Sequence, residues 1–250
     1  MNNRFCRLFI LISCICAASH SLDAQTPEPG KPTPGKSTPD ASKQKEFIYV
    51  QRLVPRLYDG QKWTQQDNAT SDRHFIRFQE AMKSGQLILA GRTKEPGDKM
   101  FGIAIVKASD ESAARAFVKA DPLISAGLMN ADLHPFGVAL ENQNPEAGKE
   151  TFIYVLKPVS RLYDDKKWTK EDNEAVDRHL TRLQEATKSG QLILAGRTKE
   201  PADKTFGIVV FSASDEAAAR KFMESDPAVV AKVMTAELHP FSVQLQRKTP

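Results

Sequence analysis

The sequence predicts two tandem α+β domains, each a ferredoxin-like βαββαβ unit. The first observation is an ungapped internal repeat, in which Phe47-Ile48-Tyr49-Val50 aligns with Phe152-Ile153-Tyr154-Val155 and Asp72-Arg73-His74 with Asp177-Arg178-His179. At the same offset Lys83 to Pro96 matches Lys188 to Pro201 letter for letter. A period this long means duplicated domains, because solenoid repeats run about 20 to 50 residues. The second observation is the order of hydrophobic patterns within each copy, which reads strand, helix, strand, strand, helix, strand. The domains are expected at 46–141 and 151–247, joined by a polar linker at 142–150.

Each element has a local cause. Phe47 to Leu53 is rich in aromatic and β-branched residues and ends at Pro55, which suits a strand. Thr64 with Asp67, and Thr169 with Asp172, form capping-box starts for a first helix that Gly85 or Gly190 stops. Its expected core stripe is Phe75, Phe78 and Met82, matched by Leu180, Leu183 and Thr187. Leu87 to Ala90 and Phe101 to Val106 are short apolar strands around the charged turn Lys94 to Asp98. Ser109 and Ser214 are expected to cap a second helix, whose apolar positions include Ala113, Ala114, Phe117 and Val118 and which stops before Pro122. Asp121 and Asp226 fall at the end of that helix, where a carboxylate meets the negative end of the dipole. Another contact is therefore expected to hold them. A last strand near Asp132 to Leu140 completes the unit.

The composition narrows the function. The chain has 250 residues, 40% of them hydrophobic and 8% aromatic, with 35 Lys and Arg against 31 Asp and Glu. This excludes a collagenous, disordered or membrane-embedded protein. The net charge of +4 is spread along the chain, so nucleic acid is not an expected partner. Arg4 and Arg7 precede the apolar run Leu8 to Ala18, which is too short to span a bilayer and reads as a signal peptide over 1–24. Export to the periplasm or medium is the expectation, with Cys14 in a lipobox-like context as a second processing route that would leave the protein lipid-anchored. Residues 25–45 carry five prolines and read as an extended tether. All three cysteines lie in the signal segment, so no disulfide or Cys-ligated metal is expected in the folded part.

The repeat resembles the YCII-related domain of the dimeric α/β-barrel superfamily over nearly its whole length. The resemblance rests on the Phe-Ile-Tyr-Val strand, the Asp-Arg-His helix motif, Gly-Gln-Leu-Ile-Leu-Ala-Gly, and Asp121-Pro-Leu-Ile-Ser-Ala-Gly-Leu128. The second copy departs from it at Lys232, where the first has Gly127. It implies that the two domains pair as an intramolecular dimeric α/β-barrel-like pseudo-dimer, with further oligomerisation left open. It also implies an acid-base dyad in each half, His74 with Asp121 and His179 with Asp226. A histidine oriented by a buried carboxylate moves a proton near neutral pH. The structural alternatives are a core histidine bonded to any neighbour, and an Asp that forms a local turn before proline.

Arg92 and Arg197 follow the second strand and can receive an anionic substrate, or serve as solvated turn charges. His134 and His239, in Leu-His-Pro-Phe, are either substrate-binding groups on the last strand or plain surface residues. Trp63 and Trp168 cover a pocket mouth or staple the first helix to the core. No metal-ligand spacing, phosphate loop or nucleophile elbow is present, so neither a metal nor another cofactor is expected. The expected function is an exported His/Asp acid-base enzyme, lyase- or dehalogenase-like, on a small organic molecule. The alternatives are a non-catalytic module that binds a small molecule or a protein, and a haem or aromatic-compound enzyme of the wider superfamily.

Overall fold

In the computed structural model the described residues are 44–142, 144–145 and 148–248. The expected export signal and nearly all of the expected tether lie outside them. The first half contains β1 (Lys45–Leu53), α1 (Gln65–Lys83), β2 (Leu87–Thr93), β3 (Gly102–Ala108), α2 (Glu111–Lys119), α3 (Pro122–Ser125) and β4 (Met129–Glu141). The second half repeats this as β5 (Glu150–Pro158), α4 (Lys170–Lys188), β6 (Leu192–Thr198), β7 (Gly207–Ala213), α5 (Glu216–Glu224), α6 (Pro227–Val230) and β8 (Met234–Gln246).

The eight strands close one antiparallel barrel in the order β1-β3-β2-β8-β5-β7-β6-β4. Closure depends on the 13-residue last strand of each half. β4 pairs with β1 of its own half from Met129 to Phe136, then with β6 of the other half from Phe136 to Glu141. β8 does the same with β5 and β2. At these seams Gly91 lies against Phe241, and a Cβ on it would sit 2.5 Å from the ring and 2.5 Å from the Ser242 carbonyl oxygen. Gly196 meets Phe136 in the same way. Only glycine admits so close an approach. The barrel interior holds Ile48, Ile103, Ile153, Phe136 and Phe241, and each fully buried phenylalanine contributes about 1.5–3 kcal/mol.

Alternate residues of β1 face outward under the helices. Phe47 and Tyr49 pack there with Phe78, Ala81, Ala114 and Val118. The helix starts form as the sequence predicts, with a reciprocal capping box at Thr64 and Asp67 and another at Thr169 and Asp172. Asp67 also accepts two hydrogen bonds from Arg56, at 2.8 and 2.9 Å. That guanidinium, with the capping bonds from Thr64, holds its carboxyl well below the usual range.

Three expectations need correction. Asp110 and Asp215 cap the second helix, because their carboxylates receive the Ala113 and Ala218 amides; Ser109 and Ser214 instead bond to those aspartates. Phe75 and Leu180 are exposed, at 39% and 40%, because the buried stripe of the helix runs through Thr70, Phe78 and Ala81 in the first half and Ala175, Leu183 and Ala186 in the second. Asp121 and Asp226 do not end a helix unfavourably, since each is the N-cap of a further short helix, α3 or α6, with proline at its first position. There the dipole favours the carboxylate.

Candidate functional site

Each half builds its site between the outer face of the sheet and the first helix. In α1 the capping box sets the register, and four residues separate His74 from Phe78, so both stand on the face turned to the sheet. The His74 ring lies 4.3 Å from that of Phe78, centroid to centroid. Asp121 enters from the α2–α3 corner and is wholly buried. His74 Nδ1 lies 2.9 and 2.7 Å from the two Asp121 carboxylate oxygens, and the Leu123 amide donates to the same carboxylate at 3.0 Å. The second half repeats the arrangement with His179, Asp226 and Ala228 at the same distances. Asp121 and Asp226 thus form the local turn and the histidine contact together.

An ionised Asp fixes the proton on Nδ1 and leaves Nε2 as the basic nitrogen. In the second half Tyr154 donates its hydroxyl to Asp226 at 2.8 Å. Burial pushes the Asp226 carboxyl up, but the hydrogen bond and charge of His179, with the Tyr154 and Ala228 bonds, more than offset this and hold it below its usual value. Burial and the nearby carboxylate drive the Tyr154 phenol well above its usual range, so it stays a donor at neutral pH.

The two halves differ at this point. Tyr49, the counterpart of Tyr154, is fully buried and its hydroxyl has no partner at hydrogen-bond geometry, although Gln51 and Arg77 stand close enough to temper the rise that burial and Asp121 impose on the phenol. Arg77 approaches Asp121 to 3.9 Å, while Arg77 and its counterpart Arg182 both lie over the ring of the neighbouring phenylalanine, Phe117 or Phe222. In the second half Ser225 accepts from Arg182 at 2.9 Å, whereas Ala120 occupies the matching place in the first.

A cavity of about 580 Å³ opens beside His74, lined among others by Gln51, Trp63, Phe75, Arg92 and Gly102, with Gln244 reaching in from the other half's last strand. One of about 1270 Å³ opens beside His179, with Trp168, Leu180 and Arg197 in its wall and Ala139 from the first half. Arg92 and Arg197 therefore stand at the cavities, where an anion can be met. Each tryptophan combines both roles read for it, since it lines a cavity and its indole N–H donates to the Leu57 or Leu162 carbonyl. His134 and His239 line neither cavity. They bond across the halves, His134 to Glu200 at 2.6 Å and His239 to Glu95 at 2.7 Å, with their rings edge-on to Phe206 and Phe101. No group of three or more acidic, histidine or cysteine side chains suited to a metal occurs among the described residues.

Tyr49, Tyr154, Gln51, Arg77 and Arg182 escaped the sequence reading. For the tyrosines the signal was present, because strand alternation puts each on the same face as the buried Phe two residues before it.

The profile of the YCII-related domain matches residues 52–136 and again 158–241. Among solved structures, a candidate monooxygenase from Lactobacillus acidophilus superposes with a TM-score of 0.51 at 7% identity, over 80% of this chain and 94% of that one. A haem-binding protein from Thermus thermophilus gives a TM-score of 0.50 at 11% identity, over 79% and 91% of the two chains. A variant of chlorite dismutase from Candidatus Nitrospira defluvii gives 0.50 at 10% identity, over 80% and 91%. At such identities the likeness is one of fold. No curated protein matched the chain by sequence.

Proposed function

The chain belongs to the YCII-related domain family through both of its halves, and on that premise we propose that it is an acid-base enzyme acting on a small organic molecule. The observation that carries this is the His74–Asp121 pair and its copy, each histidine held at Nδ1 by a buried carboxylate and placed in a cavity wall. Nε2 takes a proton from the bound molecule, and the carboxylate stabilises the imidazolium that forms. The same group returns the proton later, as lyase- or dehalogenase-like chemistry requires. Arg92 and Arg197 orient an anionic portion of the substrate. The amino-terminal segment supports action outside the cytoplasm.

The test is ¹⁵N NMR of the four histidine imidazoles beyond the amino-terminal segment, in the wild type and in Asp121→Asn and Asp226→Asn. The neutral rings of His74 and His179 are expected to carry their proton on Nδ1, and to lose that preference when their own Asp is replaced. A tautomer indifferent to both substitutions sinks the acid-base reading in favour of a binding module. Haem is the second reading, because His179 lines a cavity of about 1270 Å³ and would be the residue to ligand the iron, which would supply redox chemistry. A Soret band on hemin titration that His179→Ala abolishes replaces the acid-base reading.

A further inference from the structure

The duplication has kept the dyads and changed what surrounds them. Three polar residues that line the first cavity have apolar counterparts lining the second: Leu156 matches Gln51, Val176 matches Ser71, and Ala139 matches Gln244. Gln51 is the most telling. It is only 7% exposed, lines the first cavity, and its Nε2 makes no hydrogen bond. Its Cα pairs with Gly102, where a Cβ would lie 3.1 Å from its Oε1, while the second half keeps Gly207 opposite Leu156. A buried donor with no acceptor is costly unless a ligand supplies one. Tyr49, two residues earlier on the same strand face, also has an unpaired hydroxyl, whereas its counterpart Tyr154 is tied to Asp226. In the second half Leu156 is buried and asks for no partner.

We propose that the two cavities take ligands of different chemical class. The first binds a planar molecule whose carbonyl or carboxylate oxygen accepts from the Gln51 amide, among the rings of Trp63, Phe75 and Phe101. The second carries Leu156 in place of that amide, with Arg197 and Lys199 in its wall, and binds an amphipathic anion whose flexible apolar body packs on Leu156, Val176 and Ala139. This deepens the proposed function, resting on it only in taking the cavities as ligand sites.

The probes are benzoate and octanoate, each titrated into the intact chain while the His74 and His179 imidazole resonances are followed. Benzoate is expected to shift His74 more strongly than His179, and octanoate to do the reverse. Gln51→Leu is expected to weaken benzoate about tenfold, the effect of one hydrogen bond to a charged group. Gln51→Glu, which keeps the side chain's size and reverses its preference, is expected to weaken benzoate at least as much. An unchanged thermal midpoint in that variant separates lost binding from lost folding. Benzoate acting equally on both histidines, binding at neither, or indifferent to both Gln51 variants overturns the proposal. The acid-base reading fails separately, through the ¹⁵N tautomer comparison with Asp121→Asn and Asp226→Asn, which does not depend on where either probe binds.

Discussion

Removing one oxygen atom from each of two equivalent tyrosines should have opposite consequences. In Tyr154→Phe the lost hydroxyl is the one that donates to the buried Asp226 carboxylate at 2.8 Å. A hydrogen bond to a charged group contributes about 1.5–3 kcal/mol, and here the carboxylate is left in place with one donor fewer. In Tyr49→Phe the lost hydroxyl has no partner in a fully buried site, so the change is expected to be neutral or stabilising by up to about 1 kcal/mol. For a folded part of this size, the first should lower the melting midpoint by roughly 3–12 °C and the second should leave it level or raise it. Urea unfolding followed by the fluorescence of Trp63 and Trp168 gives the same comparison, provided the slopes agree. The pH dependence adds a check of sign. The Asp226 carboxyl is depressed in the folded state, so its contribution is present above the unfolded value of about 3.9 and is lost as the pH falls through the lower folded value. Without the Tyr154 bond that depression shrinks, so the deficit of Tyr154→Phe should be greatest near neutral pH and fade on acidification. Equal losses from the two substitutions, or a larger loss from Tyr49→Phe, refute the assignment of the bond to the second half alone.

Gly91→Ala should destabilise by about 1–3 kcal/mol, because its methyl would meet Phe241 and the Ser242 carbonyl at 2.5 Å, while Gly60→Ala, with nothing within 4 Å, should shift the urea midpoint little. A tolerated Gly91→Ala would mean that the barrel seam is looser than its register implies. Lys232 stands at φ 56 in a helix-ending turn where the first half has Gly127 at φ 68, and its amide and that of Val233 close the turn onto Val229 and Ala228. Lys232→Gly should therefore stabilise by up to about 1 kcal/mol and Gly127→Lys destabilise by a similar amount; a loss of stability in the first removes the strain argument. Asp67 and Asp172, held well below the usual carboxylate range by Arg56 and Arg161, should keep ionised carboxyl ¹³C shifts as acid is added. Their support of the helix starts is present above about pH 4 and lost only as the pH falls through the lower folded values. A midpoint near 4 for either contradicts the paired geometry.

The features legible in the sequence are those whose cause lies within a few residues or repeats. Thr64 and Asp67 are three positions apart, so the capping box and the start of the first helix follow from local chemistry. The gap-free repeat announced two copies of one unit, and the Asp-Pro pair marked a corner. His74 and Asp121 could be named as partners through the family resemblance, but their meeting depends on α1 and the α2–α3 corner packing on one sheet. Where the reading of the residues failed, a neighbour decided. Asp110 outcompetes Ser109 for the same amide, and the position of the helix on the barrel leaves Phe75 at a cavity mouth rather than in the core.

Barrel closure was beyond local reading, because the same strand pairs with its own half along one part and with the other half along the rest. That crossing places Glu95 against His239 and Gln244 beside the first cavity, contacts between residues more than a hundred positions apart. Nor does any local signal tell Tyr49 from Tyr154, since both occupy the same motif. Around those hydroxyls the halves differ in Ala120 against Ser225 and in Gln51 against Leu156, positions that only packing brings beside them. Sequence alone thus determined the duplicated unit and the capping box of its first helix, while the pairing of the histidines with the aspartates came through the family resemblance. The tertiary structure decided which buried groups find partners, because hydrogen-bond satisfaction depends on distances between elements that only packing establishes.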